Sequence, residues 1–208
     1  HGGTAMSGPS RVNRDFPLGN RWEREEFIFM NPHNSPRDFV RLGQWEVRGR
    51  LDFDRVELVP VLAAHAETAG GIELGEAESI RDGVYRFEMN LNWRGANYHR
   101  PLVTNRAGFN SNRWLFWPGA EVIYRFAVSG SAQESARLRA AINYHTGGVL
   151  RIDASRDGQS WVAVAEFDGQ KRGGRADLPK SLLPADQVFV RLSQSGQEAG
   201  FQVDTFEY

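Results

Sequence analysis

The stretch Arg151 to Val164, RIDASRDGQSWVAV, constrains the fold of this chain more than any other. Ile152 and Ala154 alternate with Arg151 and Asp153. Beyond the dipeptide Asp157-Gly158, Trp161, Ala163 and Ala165 alternate with Val162, Val164 and Glu166. A period of two on both sides of a turn dipeptide marks a β-hairpin, because successive side chains of a pleated strand point to opposite faces. Gly158 can take a positive φ without a Cβ clash, and Asp157 can hydrogen-bond its own turn. The alternation assigns Trp161 to the core. An antiparallel β-protein is the starting expectation.

Other runs agree with it. Glu121–Val128, Ala136–Tyr144, Gly148–Ala154, Ser160–Phe167, Val188–Leu192 and Phe201–Phe206 predict strands, parted by Gly, Ser, Asp and Thr turns at the intervals of a sandwich. Upstream, Phe27–Met30, Gln44–Arg50 and Arg55–Leu62 also predict strands, with Pro60 confining the last to an edge or a bulge. Ile72–Ile80 predicts a weaker strand and Val84–Leu91 a clear one. Ala63–Gly71 reads as a helical turn or a loop. Asp168–Leu183 reads as a polar loop with one turn of helix at Leu178–Leu182; in it Gly173-Gly174-Arg175, beside Lys171 and Arg172, is a small basic loop that reads as a flexible hairpin, with an anionic-glycan contact as the alternative. The expected fold is therefore an all-β, antiparallel β-sandwich with long loops and little helix. Residues 1–20 predict a flexible arm, in which His1-Gly2-Gly3 has the form of a polyhistidine-tag remnant. Residues 21–208 predict a single sandwich domain, a size that such folds reach.

Several function classes are excluded by composition. With 25 basic and 26 acidic residues, the net charge is −1, so no large field of one sign exists to hold nucleic acid or an anionic membrane. The run Leu58–Ala64 falls far short of the roughly 20 apolar residues needed to span a bilayer, so no membrane insertion is expected. There is no cysteine, which removes thiol nucleophiles and Cys-zinc sites. The histidines, His1, His33, His65, His99 and His145, include no pair at i, i+2 or i, i+4, so no local metal pair exists. No nucleophile elbow, phosphate loop or dinucleotide fingerprint occurs. Glu23, Glu25, Glu26, Glu76 and Glu78 lie in charged runs and read as solvated faces rather than as the facing carboxylates of a glycosidase. No catalytic residue is assigned.

One segment departs in texture. Asn92–Pro118, NWRGANYHRPLVTNRAGFNSNRWLFWP, has no long period and is dense in Trp, Asn and Arg, which is unusual for a connecting loop. Sugars present apolar C–H faces rimmed by hydroxyls. A binder therefore needs flat aromatic platforms beside amide, Arg and His groups. On that chemistry the candidate ligand-binding residues are Trp93, Asn97, Tyr98, His99, Arg100, Asn110, Asn112, Arg113, Trp114 and Trp117. The competing reading is that Trp114, Phe116 and Trp117 plug the core and the asparagines only make turns.

Three segments carry a family resemblance: Asn110-Ser111-Asn112-Arg113-Trp114, Ser155-Arg156-Asp157-Gly158-Gln159-Ser160-Trp161 and Val188-Phe189-Val190-Arg191-Leu192. In order and spacing they resemble the turn-Arg-Trp segment, the Ser-x-Asp-Gly-x-x-Trp hairpin and the C-terminal strand of discoidin, or coagulation-factor C-type, domains. The resemblance covers roughly Gly108 to Tyr208. It implies a galactose-binding-like jelly roll that serves as a non-catalytic carbohydrate-binding module of a secreted or cell-surface bacterial protein. A polysaccharide or glycan would be its ligand and the other domains of a larger protein its neighbours. It requires no cofactor but often goes with a structural calcium, for which Asp153, Asp157 and Asp168 are the candidate oxygen donors. The paired cysteines of animal members are absent. One alternative is a structural or protein-interaction sandwich in a larger assembly. A remote one is a copper oxygenase: His1-Gly2 with Pro9-Ser10-Arg11 resembles the opening of lytic polysaccharide monooxygenases, with His99 or His145 as the second ligand.

Overall fold

The computed structural model describes residues 12, 19–31, 40, 42–43, 48–61, 67–69 (backbone only), 71–92, 96–110, 112–196 and 200–208. Eight consecutive strands form the body: β7 (Arg113–Phe116), β8 (Glu121–Ala127), β9 (Arg137–His145), β10 (Val149–Ser155), β11 (Val162–Phe167), β12 (Gly173–Asp177), β13 (Gln187–Ser195) and β14 (Phe201–Glu207). They divide between two sheets in the orders β11-β10-β13-β8 and β12-β9-β14-β7. Within each sheet every neighbour is antiparallel. The chain changes sheet at every step except β10 to β11, which is the path of a jelly roll.

Shorter strands precede the body. β5 (Leu102–Asn105) extends the first sheet beside β8, and β6 (Gly108–Asn110) extends the second beside β7, giving five strands in each. β1 (Glu67–Ala69) pairs with β2 (Ile72–Leu74), and β3 (Glu78–Arg81) with β4 (Val84–Phe87). The β3–β4 hairpin is tied to the body by backbone bonds between Phe87 and Tyr208 in both directions, 2.8 Å each.

Period-two burial produces the sandwich. Leu138, Ala140 and Ile142 on β9, Leu150, Ile152 and Ala154 on β10, and Val188, Val190 and Leu192 on β13 all turn inward. Between the sheets Phe87, Tyr124, Phe126 and Phe206 pack as one aromatic cluster, with ring centroids 5.1 to 6.3 Å apart. Tyr208 stacks on Phe126 at 4.0 Å.

Five sequence expectations are corrected. Residues 26–31 and 48–61 form no strand, so the strands expected at Phe27–Met30 and over residues 55–61 of Arg55–Leu62 do not occur; Leu62 and residues 44–47 of the expected strand Gln44–Arg50 lie outside the described residues. Within Ala63–Gly71, expected to be a turn of helix or a loop, residues 67–69 form β1. The segment Asn92–Pro118, expected to be loop, contains β5, β6 and β7. Gly173-Gly174-Arg175 is no flexible hairpin but the start of β12: a Cβ on Gly173 would stand 2.6 Å from the Ala140 carbonyl oxygen, so glycine permits the close pairing with β9. The turn of helix expected at Leu178–Leu182 is present as a 3-10 turn, Lys180–Leu182.

The opening hairpin also differs in one respect. A register shift between Ile152 and Asp153 sets Ile152 opposite Ala165 but Asp153 opposite Ala163, so one residue of β11 is left over. The bulge inverts the alternation beyond it. Trp161 consequently leaves the core and lies on the outer face, its ring 4.4 Å from the Arg191 guanidinium carbon. Arg191 in turn donates to Asp153 through Nη2 at 2.9 Å, while Arg151 Nε donates to the other Asp153 oxygen at 2.8 Å. Asp153 is fully buried beneath this cover.

Candidate functional site

The ten candidate residues separate into distinct environments. Trp114 is 0 % exposed. Its indole Nε1 donates to Tyr124 Oη at 2.9 Å, and Tyr124 donates on to Met89 Sδ at 3.3 Å. It is a core residue and touches no surface ligand, which corrects its place in the candidate set. Asn97 is also buried; its Oδ1 accepts from the Met30 backbone N–H at 2.9 Å and its Nδ2 donates to the Met30 carbonyl at 3.2 Å. Both amide ends are used to hold the incoming chain, so Asn97 is structural.

His99 is buried edge-on against Phe87, with ring centroids 5.6 Å apart. Burial lowers its pKa to about 4, against a smaller opposing effect of a bond to the Asn90 backbone. Its Nδ1 has no partner. Arg100 forks both oxygens of Glu78, which also accept from Tyr85 Oη at 2.6 Å and from the Gly75 backbone at 2.6 Å. Glu78 is thus buried and saturated, not the solvated acid that its sequence neighbourhood implied. Tyr98 is partly buried beside this cluster. His99, Arg100 and Asn97 brace the loop before β5 from beneath and offer little to a ligand.

Trp117, Arg113, Asn110 and Asn112 do reach the surface. Trp117 is 40 % exposed. Its six-membered ring occupies the space over Gly108: a Cβ there would lie 2.6 Å from the ring and 3.4 Å from the Leu115 Cβ. Because Trp114 and Phe116 point inward, Leu115 and the Trp117 ring share the outer face of the β12-β9-β14-β7-β6 sheet.

Cross-strand register extends that face into a row. Gly108 is opposite Leu115, Leu115 opposite Gln202, and Gln202 opposite Tyr144. Directly paired residues point to the same side. Tyr144 is 51 % exposed, and the Gln202 side chain forms no hydrogen bond with any described residue. Two exposed rings thus flank an amide and an aliphatic step, over three strand spacings or about 14 Å. Such a row can stack on the apolar faces of a flat, extended ligand and direct one amide at its hydroxyls. Reading along the chain missed Tyr144 and Gln202, since only strand pairing brings them to Trp117.

The remaining candidates do not join this face. Trp93 and His1 lie outside the described residues. His145 stacks on Phe201, its Nε2 2.8 Å from the Gly148 carbonyl. Asp157 Oδ1 accepts from the backbone of Gln159 and Ser160 at 2.8 Å each, bonds that hold its carboxyl well below the usual range. Asp168 caps the next turn in the same way through Gln170 and Lys171. With Asp153 clamped by arginines, the three acids serve three separate structures. Among the described residues no group of three or more His, Asp or Glu is arranged to hold a metal ion. No described helix is long and apolar enough to cross a membrane.

No protein-family model matches the chain, and no curated protein is significantly similar to it.

Proposed function

We propose that this jelly roll is a non-catalytic carbohydrate-binding module, part of a secreted or cell-surface bacterial protein. The observation that carries the reading is the outer-face row Tyr144–Gln202–Leu115–Trp117, with an exposed ring at each end for a polysaccharide chain to stack on. The resemblance of the Ser155–Trp161 hairpin to discoidin-type domains supports it. Binding is by stacking and a few hydrogen bonds, weak at one site and made effective by tethering beside other domains.

Titration of the protein against a panel of soluble plant, algal and bacterial polysaccharides tests this. At least one should bind, and Trp117→Ala and Tyr144→Ala should each weaken it about tenfold, roughly 1.4 kcal/mol. Absence of binding across the panel, or binding indifferent to both substitutions, rejects the row as a glycan site.

A second reading, a protein-interaction sandwich, is favoured by one observation. Phe53, Val56, Leu58, Val59 and Val61 are all exposed in a stretch with no secondary structure. Apolar surface of that extent is a common mark of a protein contact. Light scattering over a concentration series should then show association that Leu58→Asp or Val59→Asp removes.

A further inference from the structure

We infer that the glycan lying on the Tyr144–Trp117 row is an acidic one, its carboxylate or sulfate group held by Arg113. This rests on the carbohydrate reading of the same face. Arg113 is the next outward residue of β7 from Leu115, about 7 Å along the strand. It stands opposite Asn110, which is likewise two residues from Gly108 under the Trp117 ring.

Of the other outward arginines of this sheet, Arg137 donates to Asp177 at 2.6 Å and Arg139 to Glu207 at 2.5 Å, while Arg175 on β12, opposite Arg139, makes no ion pair with a described residue but lies towards the opposite end of β9 from Tyr144. Arg113 makes no ion pair with any described residue, and its Nε is buried without a hydrogen-bond partner. No N–H group of the Arg113 guanidinium is spent on a described residue, so those that reach the surface can donate charge-assisted bonds to an incoming oxyanion. A guanidinium is suited to that role because its planar fork meets two oxygens at once.

The acids of the same sheet do not compete for Arg113. Glu207 is bound to Arg139, and Asp204 accepts from Thr205 Oγ1 at 3.4 Å in the neighbouring hollow, lined also by Glu88 and Arg139. Of the two unpaired arginines on this face, Arg113 is the one two residues from Leu115 of the row. Carboxylated and sulfated glycans share the chemistry that Arg113 recognises.

The test compares polymers with and without charge on one backbone: polygalacturonate against its methyl ester, and a sulfated galactan against the desulfated polymer. Affinities are measured by calorimetry for the full chain and for Arg113→Gln, Arg113→Lys and Trp117→Ala. The wild-type chain should prefer at least one acidic polymer over its neutral counterpart by about tenfold, and 1 M salt should erase that preference. Arg113→Gln should bring the ratio to near one, Arg113→Lys should retain part of it, and Trp117→Ala should weaken acidic and neutral polymers alike. Equal binding of charged and neutral polymers, or a preference that survives Arg113→Gln, overturns the inference and leaves the carbohydrate reading standing. Failure of all four polymers to bind the wild-type chain overturns the inference; the wider panel above decides the carbohydrate reading separately.

Discussion

The Trp117 ring fills the place where a side chain on Gly108 would be, 2.6 Å from that missing Cβ. The platform therefore depends on an absent methyl group. Gly108→Ala should push the indole off the face and lower glycan affinity nearly as far as Trp117→Ala. Trp117 is exposed and free to swing, so stability should change by no more than about 0.5 kcal/mol. Urea unfolding and glycan titration of the same sample separate the two effects.

The indole of Trp114 belongs to the interior, and its substitutions should show the opposite pattern. Trp114→Ala should cost about 3–5 kcal/mol through the cavity it leaves. Tyr124→Phe removes the acceptor of the buried indole N–H and should cost about 1–3 kcal/mol. Glycan affinity measured on the folded fraction should be unchanged in both.

Asp153 links two arginines beneath Trp161. Asp153→Ala leaves Arg191 and Arg151 facing each other without their shared carboxylate. Losing one member of a buried pair costs about 3–5 kcal/mol, reduced to roughly 2–3 here because both guanidinium groups are partly exposed. Indole fluorescence should report the loosening of Trp161 as well as the lower unfolding midpoint.

His99 makes stability depend on pH. It titrates near 4 when folded against 6.5 in the unfolded chain, so the unfolded chain holds the extra proton between those values. Its contribution is complete above about pH 6.5 and is lost as pH falls towards 4, up to about 3 kcal/mol. Carboxylates add their own acid dependence below pH 5. The difference between the wild-type chain and His99→Gln, followed by urea unfolding from pH 7 to pH 4, isolates the histidine: the variant should show the shallower decline.

Much of the body was legible because strands of a sandwich are half-buried and write their period into the chain: β8, β9, β10, β13 and β14 fall where alternation put them. Alternation did not show whether a strand finds a partner, and so Arg55–Leu62 read as a strand although residues 55–61 pair with no described residue. β5, β6 and β7 are three to four residues long, too short for a period to emerge through the intervening Asn and Gly. Trp161 was misplaced by a single bulge residue, which composition cannot reveal. Within the candidate segment, Trp117 and Arg113 reach the surface that chemistry asked for, whereas Trp114 and Asn97 were chosen for side-chain type and serve the interior. Tyr144 and Gln202 were invisible because their place beside Trp117 is created by pairings far apart in sequence.

The row draws its four members from β7, β9, β14 and the turn after β7, so no fragment of the chain can present it. It exists in the native state and vanishes with it. Whatever occupies the face must therefore act as a thermodynamic brace on the whole sandwich, adding about 2.7 kcal/mol when supplied at a hundred times its dissociation constant. A melting curve is then a detector of ligand in its own right, responsive to binding too weak to survive a wash.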